Sequence, residues 1–259
     1  MINGGLSVAI SAQAILEKDG LSQDFILKAM PETWVQGVFN AEIKQLMGEV
    51  TSTPYPHKEV FFRELALNAV QALDKFRNES ITDQDKHVAE IVSDKTPLFV
   101  NIVADRTNST LTIEDSGIGM TKSALINELG TLAKSSLART MVMAGGSDIN
   151  FSIGFYSAYL VSDKVQVVSK HYDGEQYVWT GVASGYFTVE EDTKQRHGEV
   201  KRGTKVILYL RKDQSEFLDE CRLRELVSAY ETAYGRRYCF SVAEFVAASP
   251  MKKKKKIAN

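Results

Sequence analysis

Apolar residues recur at helical spacing in FFRELALNAVQALDKF (61–76). Phe62, Ala66, Ala69, Leu73 and Phe76 fall along one side of a 3.6-residue repeat. The run is rich in Ala, Leu, Glu and Lys and lacks Pro and Gly, so it predicts a helix. Its other side carries Glu64, Asn68, Gln71 and Lys75, shouldered by Phe61 and Leu67. A solvated face usually carries dispersed charge, so a narrow polar row between apolar shoulders poses a choice between water and a pocket. Alternating patterns predict strands at LFVNIVAD (98–105) and STLTIED (109–115), joined at RTN. KVQVVSKH (164–171) and EQYVWTG (175–181) form a strand–turn–strand pattern about Asp173-Gly174. YFTVEED (186–192) and TKVILYLR (204–211) supply two more strands. Further helices are predicted at 38–48, at 121–133 with Thr121 near the N-cap, and at 155–161. The last, over 217–234, has Leu218, Leu223, Leu226, Val227 and Tyr230 on its apolar side. Residues 79–96 read as loop or short helix, and 134–153 as a flexible, small-residue segment. This order predicts an α/β (α+β) two-layer sandwich. Its sheet is mixed and mostly antiparallel, with helices on one face.

Composition narrows the partners more than the chemistry. The 259 residues admit one large domain or two small ones, and 44% hydrophobic with 25% charged residues is ordinary for a globular protein. A net charge of −2 gives no reason to expect nucleic acid or an anionic membrane as partner. No apolar run is long enough to span a bilayer. Cys221 and Cys239 have no metal-like spacing and read as two thiols in a reducing compartment. Near the N-terminus, LSVAISAQAIL has no basic residue before it and is interrupted by Ser and Gln, unlike a cleaved signal. The expected organisation is a flexible extension (1–31), one domain (32–248) and a solvated Lys-rich tail (249–259). The expected location is the cytoplasm, with the Lys tail leaving the nucleus open.

Two glycine-containing stretches could carry chemistry. DSGIGM (115–120) sets a carboxylate at a strand end, followed by two glycines and a helix start. In SIGFYSAYLV, Gly154 precedes an apolar helix whose N–H groups could meet a phosphate. Each alone also reads as an ordinary turn or cap, and Lys134 alone reads as a solvated lysine.

In combination they say more. FFRELALNAVQALDKFRNES, IEDSGIGMTKSALINELGTLAKSS, IGFYSAYLVSDKVQVVSKHYDGEQYVWTG and RGTKVILYLRKDQSEFLDECRLRELV occur in this order. Together they resemble the N-terminal nucleotide-binding domain of the 90-kilodalton heat-shock chaperones, over roughly residues 38–245. Glu-Leu-x-x-Asn-Ala and Asp-x-Gly-x-Gly-Met are shared with the wider gyrase, histidine-kinase and mismatch-repair superfamily. LGTLAKS, GFYSAYLV and KDQSEFL are specific to the chaperones. A histidine kinase is disfavoured, since no phospho-acceptor helix is evident among four histidines.

The resemblance implies a Bergerat-type ATPase fold with an ATP/ADP pocket between helices and sheet. It implies that Glu64 is the general base for the water attacking the γ-phosphate, and that Asn68 binds Mg2+ through its amide oxygen. Asp115 would accept from the adenine amino group, Gly119 would let the base approach, and Met120 would pack on it. Thr204 would join the adenine-side network, with Asn127 also in the nucleotide pocket. Lys134 would reach phosphate from the lid, and Gly154 and Phe155 would direct backbone N–H groups to the phosphates. Implied partners are ATP, co-chaperones, client proteins and full-length family members.

Three positions depart from the family pattern. Gln71 replaces an aspartate, Glu128 replaces an asparagine beside Asn127, and Ser152 stands in a shortened glycine loop. The middle domain, with its arginine for the γ-phosphate, is not in this chain. Two readings therefore stay open: an ATP-binding chaperone domain with slow Mg-dependent hydrolysis, or a hydrolysis-deficient truncated paralogue that acts as a nucleotide- or partner-binding module.

Overall fold

The computed structural model describes residues 34–39, 43, 47–48, 57–82, 97–129 and 154–244. Eight strands form one sheet: β1 (Trp34–Val38), β2 (Phe99–Asp105), β3 (Thr110–Asp115), β4 (Ser162–Lys170), β5 (Gln176–Val182), β6 (Tyr186–Glu191), β7 (Gly203–Leu210) and β8 (Cys239–Glu244). Their spatial order is β1-β6-β5-β4-β7-β3-β2-β8. Every neighbouring pair is antiparallel except β2 with β8, so the sheet is mixed and mostly antiparallel.

The helices are α1 (Val60–Thr82), α2 (Lys122–Leu129) and α3 (Glu220–Tyr234), with 3-10 segments at Gly154–Leu160 and Lys212–Leu218. On α1, Phe62, Ala66, Ala69, Leu73 and Phe76 are all buried, as its apolar stripe requires. Phe62, Ala66, Ala69 and Leu73 share one core with the inward positions of the strands, among them Ile102, Leu111, Val165, Val167, Trp179 and Leu208. The outward positions Val168, Val178 and Ile207 form a separate small cluster with Val200. The period-two pattern of the strands thus sorts their side chains onto the two faces of the sheet. Among the described residues, no helix is long and apolar enough to cross a membrane.

Several boundaries differ from the sequence expectation. The segment expected as a buried helix over 155–161 is a 3-10 helix beginning at Gly154. The helix expected over 217–234 starts at Glu220, because the Asp219 carboxylate caps the N–H groups of Cys221 and Arg222. Before it, Lys212–Leu218 is a separate 3-10 segment. The segment expected as helical over 38–48 begins as strand, since Val38 ends β1, while Ile43, Met47 and Gly48 are helical. The opening helix runs on to Thr82, into the stretch read as loop or short helix. Thr121 caps α2, its Oγ1 accepting from the Ala124 N–H at 3.2 Å. The extension (1–31), the Lys tail, Lys134 and Ser152 lie outside the described residues.

Candidate functional site

A cavity of about 490 Å³ opens between α1, α2, the 3-10 helix at Gly154 and the inner face of the sheet. That volume suits a small organic ligand. From α1 come Asn68, Gln71 and Lys75, three of the four residues in the polar row. The row therefore borders a pocket, with all three side chains reachable by solvent. Asp115, Gly119, Met120, Gly154, Phe155 and Thr204 also line it. Apolar walls come from residues such as Ala69, Ile113, Ile118, Val167 and Val206.

Two of the described candidates are not among the lining residues. Glu64 sits one turn before Asn68, and its Oε1 accepts from Arg63 Nη2 at 2.9 Å and Nε at 3.1 Å. Asn127 donates back to Ser123 Oγ at 3.0 Å, along its own helix. Its neighbour Glu128 lines the cavity instead. One residue is about 100° of helix rotation, so the two neighbours point in different directions around α2.

Asp115 is a strongly perturbed group of the site. It ends β3 opposite Thr204 of β7, and only 6% of its surface is exposed. Burial drives its pKa up to about 7, countered by hydrogen bonding from the Gly117 backbone and by the Arg202 charge, while Glu114 pushes it further up. The Gly117 N–H donates to Oδ1 at 2.8 Å. A desolvated carboxyl at the wall of a cavity is a means of selecting a ligand with an N–H donor.

Thr204 is tied to a buried hydroxyl, Ser169, that is not itself among the lining residues. Ser169 Oγ lies 2.8 Å from Thr204 Oγ1 and accepts from the Met120 N–H at 2.8 Å. It thereby ties β4 to the turn after β3. Ser169 was not picked out from the sequence, because it reads as one more inward position on a β-strand. His171 also lines the cavity, and burial holds it below its ordinary pKa.

Gly119 lines the cavity and also meets the protein closely on its other side. Its φ is +72°, and a Cβ there would come 2.0 Å from the Lys170 carbonyl oxygen. The close approach is therefore to strand β4, within the protein itself.

The donor set fits a nucleotide with magnesium only in part. Asn68 offers an amide oxygen, a suitable ligand for a hard cation that arrives with phosphates and retains water. Among the described residues, no group of three or more His, Cys, Asp or Glu is placed to hold a metal by itself.

No family model matches the chain. It is similar to an endoplasmin homolog of Arabidopsis thaliana, 44% identical over 197 residues, which is 74% of this chain and 23% of that protein. It is likewise 42% identical over 211 residues to the chaperone protein HtpG of Myxococcus xanthus, covering 76% of this chain and 30% of the relative. The mitochondrial heat shock protein 90-6 of Arabidopsis thaliana is 40% identical over 203 residues, 74% of this chain and 25% of its own length. The chain thus spans about a quarter of the length of these curated relatives.

Proposed function

Because the chain belongs to the 90-kilodalton heat-shock chaperone family, we propose that it binds ATP and ADP in the cavity beside Asp115 and serves a chaperone. The buried Asp115 carboxyl carries this reading. A nucleobase amino group would satisfy it, with Thr204, held by Ser169, beside it and the apolar walls excluding water from the base. Asn68, at the solvent-open side, would hold Mg2+, which supplies charge neutralisation for the phosphates. Lys75 lies on the same side and would add positive charge there. Proposed partners are co-chaperones, client proteins and full-length family members. The free, exposed thiols of Cys221 and Cys239 support a reducing compartment, and the cytoplasm is the proposed one.

Calorimetric titration with ADP and with ATP, each with Mg2+, tests the site. Binding that Asp115→Asn weakens by about 10–100-fold is the expected result. No binding by the folded wild-type protein would refute the reading.

A second reading, a nucleotide-binding module without turnover, is favoured by the Arg63–Glu64 ion pair and by Gln71 in place of a carboxylate. A hydrolysing enzyme needs Glu64 to turn from Arg63 toward the nucleophilic water. Turnover under saturating Mg-ATP, compared with Glu64→Ala, separates the two. A rate lost in the variant supports hydrolysis, and equal rates support the module.

A further inference from the structure

Arg202, just before β7, is not among the residues lining the cavity, yet it grips the turn that carries Asp115. Its Nη1 donates to the Gly117 carbonyl at 2.7 Å and also to the Ser116 carbonyl. The guanidinium lies over the Phe76 ring of α1, 3.4 Å from its centroid. One side chain therefore fastens the β3–α2 turn, α1 and the β6–β7 loop together. The Gly117 residue is held at both ends, its N–H donating to Asp115 and its carbonyl accepting from Arg202.

We propose that Arg202 is a positioning residue of the nucleotide site, fixing the Ser116–Gly117 turn that aims the Asp115 carboxylate and supplying the positive charge that faces it. The other charges around Asp115 do not duplicate this role. Glu114, on the same strand, is of like sign and pairs with Lys205 at 3.4 Å on the outer face. Lys75 of α1, Glu128 of α2 and His171 after β4 stand around the cavity wall. Both bonds leave from the same Nη1 while the flat guanidinium lies on the Phe76 ring, and a lysine ammonium would keep the charge without that planar seat.

The nucleotide arm of the test rests on the function proposed above, whereas the carboxyl arm needs no ligand. The full chain, labelled with 13C at aspartate carboxyls, is titrated by NMR, with Asp115→Asn to assign the signal. The wild-type midpoint is expected at about 7. Arg202→Met keeps a stem on Phe76 but removes charge and donors, and should raise the midpoint by about 1 pH unit. Arg202→Lys should bring it back toward the wild type. If Arg202→Met does not fold, Phe76→Leu loosens the guanidinium and should move the midpoint the same way. An unchanged midpoint in a folded variant, or Arg202→Lys behaving as Arg202→Met, overturns the proposal.

In the second arm, ADP affinity of Arg202→Met at pH 7 should fall at least about fivefold, since fewer molecules carry the ionised carboxylate. Arg202→Lys, lacking the planar group seated on Phe76, should still bind ADP more weakly than the wild type at pH 9, where ionisation no longer differs. Wild-type-like affinity of Arg202→Lys at pH 9 would overturn the positioning role. A wild type that titrates as expected but binds no nucleotide would sink only the functional reading.

Discussion

With a pKa of about 7, the Asp115 carboxyl is half charged at neutrality, and charging it inside the fold has a cost. Its native pKa lies above the ordinary aspartate value of 3.8, so its contribution to stability is full below pH 3.8 and is lost as pH rises through about 7. Asp115→Asn removes that loss. The variant should be more stable than the wild type at pH 8, by about 1–4 kcal/mol, with the difference shrinking toward pH 4 in urea melts. The same substitution should weaken ADP binding by about 10–100-fold, the worth of a hydrogen bond to a charged group. An N–H donor favours the ionised form, so wild-type affinity should rise from pH 5.5 to pH 8 and level off. A flat profile would mean that the ligand does not meet this carboxyl. DSGIGM marked Asp115 as a candidate, a strand-end carboxylate before two glycines, but its role came from the resemblance and its raised pKa only from burial in the fold. What was not readable is orientation at single-residue resolution. Asn127 and Glu128 are neighbours on α2, and only the tertiary packing of that helix decides which of them borders the cavity.

Elements built from local periodicity were legible, and those built from distant partners were not. The six central strands follow from alternation, and α1 follows from its stripe. The edge strands β1 and β8 were missed. WVQGV has a glycine in its interior, which argues against a strand. In the sheet, Gly37 pairs with Phe187, and a Cβ on it would lie 2.3 Å from that ring. Gly181, on the other neighbouring strand, also pairs with Phe187, so the ring has a small residue on each side. The glycine is thus demanded by a partner some 150 residues away. β8 lies parallel to β2, an equally distant pairing. KDQSEFL turns out to be a packing element rather than part of the site. Phe217 is fully buried, edge-on to Phe61 of α1 with ring centroids 4.9 Å apart. Phe217→Ala should therefore cost about 3–5 kcal/mol in denaturant melts while leaving ADP affinity of the folded fraction unchanged. A loss of affinity equal to that of Asp115→Asn would instead put this segment in the site.

At the scale of the molecule, the cavity lies where α1, α2, the 3-10 helix at Gly154 and the sheet converge, so a ligand there touches every layer of the fold. Tyr156 strengthens that junction, its hydroxyl donating to the Leu129 carbonyl at 2.9 Å and so joining the 3-10 helix to α2. Binding to such a junction should stabilise the whole domain, by about 2.7 kcal/mol at an ADP concentration of 100 times Kd. A different outcome belongs to the grooves on either side of α3, which are lined by residues such as Arg63, Arg222 and Tyr234 or Arg236 and Phe240. A nucleotide held there would protect α3 and β8 and leave the turn after β3 unchanged. Hydrogen exchange with and without ADP distinguishes these cases. Protection is expected in α1, at 115–121 and in β7, where the amides surround Asp115 and Thr204, and at the same ADP concentration it should fall in Asp115→Asn. Protection centred on 220–244 would move the binding site to the far side of α1 and take the proposed function with it.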